Sequence, residues 1–216
     1  MKIAVMGSGN IAHHLAPALA RNNEVVQMKR DTVPPDADIY FLLVPDTLLY
    51  EVAKTLRVSE KTVVHVSGAT PLEIISPISN NAGVMYFIQT FSKNSPQLDF
   101  SDIPVCIEAS NAETENLLTE LARELSNNVR TITSEERALI HLAAVFANNF
   151  TNALYGIAEM ILPQNDLSLL YPMIEETARK IKFMSAKAAQ TGPASRNDRK
   201  TFTDFAELFA VAAEST

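Results

Sequence analysis

A short apolar run, Lys2–Met6 (KIAVM), gives way at once to Gly7-Ser8-Gly9, and from Ile11 to Ala20 apolar residues recur at helical spacing. That juxtaposition constrains the fold more than any other stretch of the chain. A strand buried on both faces of a parallel sheet reads as a continuous apolar run. Glycines directly behind it allow a sharp turn, and a helix starting there aims its first backbone N–H groups over the turn. Ala12 stands where a small side chain lets such a helix pack closely on the sheet. A second run, Glu24–Met28 (EVVQM), completes a strand–turn–helix–strand frame. Two readings of the turn remain open. Gly7, Gly9 and Asn10, with Ile11 behind them, let backbone N–H groups approach a pyrophosphate, or they form a plain turn that holds no nucleotide.

Only eight residues, DTVPPDAD, separate Arg30 from the next apolar run, Ile39–Val44. A crossover with its helix needs at least about 10–12 residues. The usual second helix and third strand are therefore expected to be missing, with Glu24–Met28 at the sheet edge and an extended link crossing to the other side of the first strand. Alternation then resumes. Asp46 is placed to cap a helix over Thr47–Leu56, Thr62–Val66 reads as a strand, and Thr70-Pro71-Leu72-Glu73 reads as a capping box with proline at the first helical position. Val84–Ile88, Val105–Glu108 and Val129–Ile132 read as strands, and Ser110-Asn111-Ala112-Glu113 as a second capping box opening a helix to about Leu125. From Thr133 the texture changes. Thr133-Ser134-Glu135-Glu136 caps a helical pattern running to about Leu162, followed by a break at Pro163–Asp166 and further helical patterns over Pro172–Gln190 and Lys200–Glu214. The expectation is an α/β protein in two domains. Residues 1–133 form a shortened Rossmann-like parallel sheet, and residues 134–216 form an all-helical domain.

Composition narrows the function classes. With 47% hydrophobic and 20% charged residues the chain reads as an ordinary soluble globular protein. Its net charge of −7 and the lack of any basic run speak against nucleic acid as a partner. A single cysteine, Cys106, excludes an internal disulfide and a multi-cysteine metal site, and its setting in IPVCIEA reads as a buried thiol. No stretch reaches the length of a membrane span, and the run at Ile3–Met6 is too short for a signal peptide. A cytoplasmic protein is expected.

Four places carry candidate chemistry. Lys29 and Arg30 end the second strand, where an acidic residue would bind the ribose hydroxyls of NAD and a cation suits the 2′-phosphate of NADP. Asp31 dissents one step later, and a solvated basic pair is the plain alternative. Val44 and Pro45 end the third strand at the edge where ligands of open α/β sheets bind, and join the candidate cofactor contacts. At the same edge, in the turn His65-Val66-Ser67-Gly68-Ala69, Ser67 and Gly68 either meet substrate or nicotinamide or merely turn the chain. Counted at 100° per residue from His141, Asn148, Asn152, Tyr155 and Glu159 fall on one stripe, within about 40° of it. His141 is then a candidate proton carrier and Asn148 a group that orients substrate. The competing reading is the solvent face of an amphipathic helix. His13 and His14 read as structural.

GSGNIA, Val44-Pro45-Asp46, VVHVSGA at Val63–Ala69, QTFS at Gln89–Ser92, ERALIHLAAVFANNF at Glu136–Phe150 and TGPASRND at Thr191–Asp198 occur in the order found in a known group. Over nearly its whole length the chain resembles the Rossmann-like NADP oxidoreductases whose helical C-terminal domain has no assigned function. These are similar in architecture to pyrroline-5-carboxylate reductase, ketopantoate reductase and the 3-hydroxyacid dehydrogenases. The resemblance implies NADP(H) in the N-terminal domain, an active cleft between the domains and a homodimer formed through the helical domain. It further implies hydride transfer between nicotinamide and a small carbonyl, hydroxy or imine compound. His141 stands where the hydroxyacid dehydrogenases carry a lysine, the Ser67-Gly68 turn matches their substrate-binding serine loop, and Tyr86-Phe87 replaces the His-Pro usual in closer relatives. A non-catalytic NADP-binding sensor is the alternative that the missing lysine and the shortened link leave open.

Overall fold

The computed structural model describes residues 1–30, 32–192, 200, 201, 203 and 204. By their contacts they divide into two units, residues 1–146 and residues from 147 onward. The dissenting Asp31, most of the TGPASRND piece and most of the last expected helix lie outside the described residues.

The first unit is a seven-stranded sheet in the order β2-β1-β3-β4-β5-β6-β7, built from β1 (Lys2–Met6), β2 (Glu24–Met28), β3 (Ile39–Leu42), β4 (Thr62–His65), β5 (Ala82–Phe87), β6 (Val105–Ala109) and β7 (Val129–Thr131). β1 pairs in parallel with both β2 and β3, so no strand lies between the edge strand and the crossover link, and the third strand is absent as the eight-residue link implies. The link docks by exchanging bonds with β1. The Asp38 amide donates to the Lys2 carbonyl at 2.8 Å, and the Lys2 amide donates to the Asp38 carboxylate at 2.8 Å. β2 through β5 run parallel, and β6 turns back antiparallel to β5 with β7 beside it.

Alternate residues of the fully buried strands feed two cores, one on each face. Ile3, Val5, Phe41, Val64 and Met85 pack with helices α1 (Asn10–Leu19) and α3 (Ala112–Arg123). Ala4, Leu42, Val63, Val84, Tyr86 and Cys106 pack on the other face with helix α2 (Asp46–Thr55) and the turns around Leu72–Ile78. Cys106 is buried, as its setting implies. Helix α4 (Ser134–Ala144) starts at the expected capping box, with the Thr133 hydroxyl and the Glu136 side chain each bonded to the other's backbone amide.

Three expected helix starts differ from the structure, each because another residue claims a group the helix start would use. Thr70–Glu73 opens no α-helix, only a 3₁₀ turn at Leu72–Ile74. The Thr70 hydroxyl is engaged by Ser67 and the Thr70 carbonyl by Arg137, so neither serves a helix. Asp46 does not cap α2: Pro45 is the capping residue, and the Asp46 carboxylate accepts the Ser67 hydroxyl at 2.8 Å. At α3 the cap is Asn111, whose side chain accepts the Thr114 amide at 2.9 Å, while the Ser110 hydroxyl donates to the Asn80 carbonyl.

The long pattern after Thr133 is also not one α-helix. A π-helical stretch, Val145–Phe150, follows α4 and leads into α5 (Thr151–Ile161). Within the second unit α5 is followed by α6 (Tyr171–Lys180) and the short α7 (Ala186–Ala189), the last capped by the Ser185 hydroxyl on the Ala188 amide at 3.2 Å.

Candidate active site

The strand register places the glycine turn, the end of β2 and the loops after β3 and β4 along one sheet edge, because Met6 pairs with Met28 and Leu42, and Leu42 with His65. This is the carboxyl edge, where open α/β sheets hold ligands.

The two glycines of the turn are required for different reasons. Gly7 has φ +120°, and a β-carbon there would lie 2.1 Å from the Leu43 carbonyl oxygen. Backbone geometry and packing both demand glycine at that position. Gly9 caps α1 with φ −73° and ψ −170°, a conformation open to any residue, and its β-carbon would meet nothing within 4 Å. Neither strain nor crowding explains a glycine at Gly9. No side chain caps α1, so its first backbone N–H groups remain for a ligand able to pass close over Gly9. The Asn10 side chain is turned aside, accepting the Lys93 amide at 3.3 Å, so it is its backbone that faces the turn. Ile11 packs partly buried against the core.

Beside the turn lies a cavity of about 490 Å³ whose lining includes Gly7, Ser8, Lys29, Arg30, Val44 and Leu48. Two cations and two aliphatic residues are thus among its lining, a set that fits the phosphates and the flat base of NADP(H). Pro45 is exposed at the start of α2. Gln27, absent from the expected site, also lines the cavity and donates from its amide to the Gly7 carbonyl at 2.8 Å. Its polar place on an edge strand, opposite the glycine turn, is the only trace it leaves in the sequence.

A second cluster gathers around the loop after β4. The Ser67 hydroxyl lies inside the turn, donating to Asp46 and accepting the Thr70 hydroxyl and the amides of Ala69 at 3.2 Å and Thr70 at 2.9 Å. Ser67 is 7% exposed. Arg137, which sequence reasoning missed, is 1% exposed and reaches across from α4. Its guanidinium pairs with the Glu108 carboxylate at 2.9 Å and donates to the carbonyls of Ser67 at 3.0 Å, Gly68 at 3.3 Å and Thr70 at 2.7 Å. Ser134 donates to Glu108 and accepts from Arg137, closing the network. An arginine inside a run as apolar as RALIHLAAVF was the available signal.

One turn beyond Arg137, His141 meets Tyr86 of β5. The Tyr86 hydroxyl lies 3.1 Å from Nδ1, with the rings edge to face and their centroids 5.7 Å apart. Gly68 closes over both rings. Burial, with Cys106 next in effect, raises the Tyr86 pKa and keeps the hydroxyl protonated. His65 is buried beneath the loop, where desolvation and then the Arg137 charge lower its pKa to about 3. Its Nδ1 accepts the Ser67 amide at 3.2 Å, and among the described residues its Nε2 is the one buried side-chain nitrogen or oxygen without a hydrogen bond.

Asn148 lies in the π-helical stretch and is exposed. The 100° step that sets it and the residues beyond it on one stripe with His141 does not hold through a π-helix, so the count does not carry past Ala144. His14 is held structurally: its Nε2 donates to the Ser92 carbonyl at 2.8 Å and its Nδ1 accepts the Leu98 amide at 3.3 Å. Among the described residues no group of three His, Cys, Asp or Glu is placed to hold a metal ion, and no helix is long and apolar enough to cross a membrane.

Comparison with known proteins adds to this geometry. Residues 103–213 match a domain of unknown function, DUF2520. None of the curated proteins compared matches the chain. Among solved structures, one from Bacteroides fragilis, provisionally described as an NADP oxidoreductase, is 34% identical and superposes with a TM-score of 0.86 over 97% of this chain and 91% of that one. A Thermotoga maritima protein is 22% identical, with a TM-score of 0.78 over 97% of this chain and 91% of its own. A reductive aminase from Aspergillus terreus, solved with NADPH and ethyl-5-oxohexanoate, shares the fold at 13% identity and a TM-score of 0.64 over 84% of this chain and 75% of that one.

Proposed function

The chain belongs to the DUF2520 family, and for this member we propose an NADP(H)-dependent oxidoreductase acting on a small carbonyl, hydroxy or imine compound. The observation that carries the reading is Gly9, a glycine that neither its backbone nor its packing requires, set beside a cavity rimmed by Lys29 and Arg30. The solved relative at 34% identity, described as an NADP oxidoreductase, supports the same cofactor.

In this reading the backbone over Gly7, Gly9 and Asn10 receives the pyrophosphate. Lys29 and Arg30 hold the 2′-phosphate, and Val44 and Leu48 lie against the base. The bound nicotinamide supplies or accepts the hydride. His141 manages the proton or hydrogen bond at the reacting heteroatom, and Ser67, its hydroxyl spent within the turn, shapes the loop rather than touching substrate. A second copy of the chain would cover apolar residues exposed in the helical unit, among them Leu154, Met160, Leu169 and Met173.

The test is a titration with NADPH and, separately, NADH, on the native chain and Arg30→Ala. A charge-assisted contact to the 2′-phosphate is worth about 1.5–3 kcal/mol, roughly a 10- to 150-fold change in affinity. Arg30→Ala is expected to lose that much for NADPH and little for NADH. If neither nucleotide bound the native chain, the reading would be overturned. Tight binding with no turnover across a carbonyl and imine panel would point to a sensor instead.

A further inference from the structure

The side of His141 that faces the protein is closed. Tyr86 Oη lies 3.1 Å from Nδ1, and the Gly68 backbone presses so near that a β-carbon there would sit 2.4 Å from Nδ1 and 2.9 Å from the Tyr86 ring. Tyr86 is 8% exposed, and among the described residues Nδ1 of His141 is its hydroxyl's only hydrogen-bond partner. A phenol has one proton to donate, and a buried donor left unmade costs about 1–3 kcal/mol. If His141 carried its proton on Nδ1, the Tyr86 proton would have no acceptor. With the ring proton on Nε2, the Tyr86 proton falls on the Nδ1 lone pair and both groups are satisfied.

Resting on the oxidoreductase reading, we infer that Tyr86 is a positioning residue that fixes His141 as the neutral Nε2–H tautomer, so that the site offers a hydrogen-bond donor to the substrate. The Arg137 guanidinium one turn earlier does not disturb this pairing, because it is committed to Glu108 and the loop carbonyls. A neutral imidazole of this kind polarises a carbonyl rather than abstracting a proton. The group that suits it is one with a lone pair at the reacting position. A ketone or aldehyde oxygen accepts from Nε2–H as hydride arrives at its carbon and negative charge gathers on the oxygen, and solvent supplies the proton that completes the alcohol. A protonated iminium, with no lone pair at nitrogen, does not. Within the proposed substrate range the pair therefore selects carbonyl compounds for reduction over cationic iminium species.

The experiment reads the tautomer directly and needs neither cofactor nor substrate. Long-range ¹H–¹⁵N correlation spectra of the labelled chain at pH 7.5 resolve the ring nitrogens of its four histidines, with His141→Gln assigning the resonance pair. The native chain is expected to show His141 with an unprotonated Nδ1 and a protonated Nε2. In Tyr86→Phe, which keeps the ring and drops only the hydroxyl, the Nδ1 signal is expected to move part-way toward the protonated position. A native Nδ1–H tautomer, or identical His141 signals in the two proteins, would overturn the inference. The native spectrum alone can do so even if Tyr86→Phe folds poorly. Because the readout is independent of nucleotide, failure of NADPH to bind would sink the oxidoreductase reading while leaving this tautomer assignment standing.

Discussion

Replacing Arg137 by methionine should cost the sheet unit about 4 kcal/mol. The guanidinium is 1% exposed, and its Glu108 partner only 14%. The substitution keeps the length of the side chain but leaves the Glu108 carboxylate with the Ser134 hydroxyl as its remaining bond, and strips Ser67, Gly68 and Thr70 of a shared donor. Breaking one partner out of a buried pair costs about 3–5 kcal/mol. The three carbonyls add less than their full desolvation penalty of about 1–3 kcal/mol each, because the loop they belong to can shift to admit water. A loss of about 4 kcal/mol is a large share of the roughly 5–15 kcal/mol that holds a domain together. The assay is urea unfolding followed by far-UV circular dichroism, read as the midpoint and slope of the transition. Arg137→Met/Glu108→Leu serves as the control, since exchanging both partners for apolar residues leaves no uncompensated charge and should recover at least half of the loss. A single variant destabilised by less than about 1 kcal/mol, or a double variant no better than the single, would refute the claim that this ion pair anchors the loop after β4.

The two glycines of the first turn should separate cleanly. Gly7→Ala is expected to destabilise by at least about 2 kcal/mol, from its left-handed backbone and the collision with Leu43. Gly9→Ala should cost no more than about 1 kcal/mol, the usual loss at a helix N-cap, yet weaken NADPH at least tenfold, and equal affinity in calorimetry would remove the reason given for that glycine. His65 should make stability depend on pH in a defined window. Its folded pKa of about 3 lies below the 6.5 of the unfolded chain, so only the unfolded state takes up its proton between those values. Stability is complete above about pH 6.5 and falls with a slope approaching 1.4 kcal/mol per pH unit as the pH drops toward 3. His65→Asn should lose that component, so parallel pH profiles for the two proteins would show that the ring is not held neutral.

Much of the fold is legible from local pattern. The apolar runs, the glycine turn and the eight-residue link between Arg30 and Ile39 are enough to place β1 between β2 and β3 without a third strand, because chain length alone forbids the missing crossover. The Thr133 capping box is equally local: both of its bonds join residues three apart. Lys29, Arg30 and Val44 line the cavity beside Gly7 because strand ends in a parallel sheet come to one edge whatever the details of packing.

The second cluster was not legible in this way. Thr70 and Asp46 carry sound local signals for helix starts, but the Thr70 carbonyl is taken by Arg137 and the Asp46 carboxylate by Ser67, sixty-seven and twenty-one residues away. Arg137 reaches carbonyls up to seventy residues back along the chain, and Tyr86 meets His141 across fifty-five. A buried polar atom takes whichever partner the packed core brings to it, since an unmade bond there costs more than a lost cap. Spacing in the chain records which elements form. Which buried donor meets which acceptor is settled only when α4 packs against the sheet and water is excluded from between them.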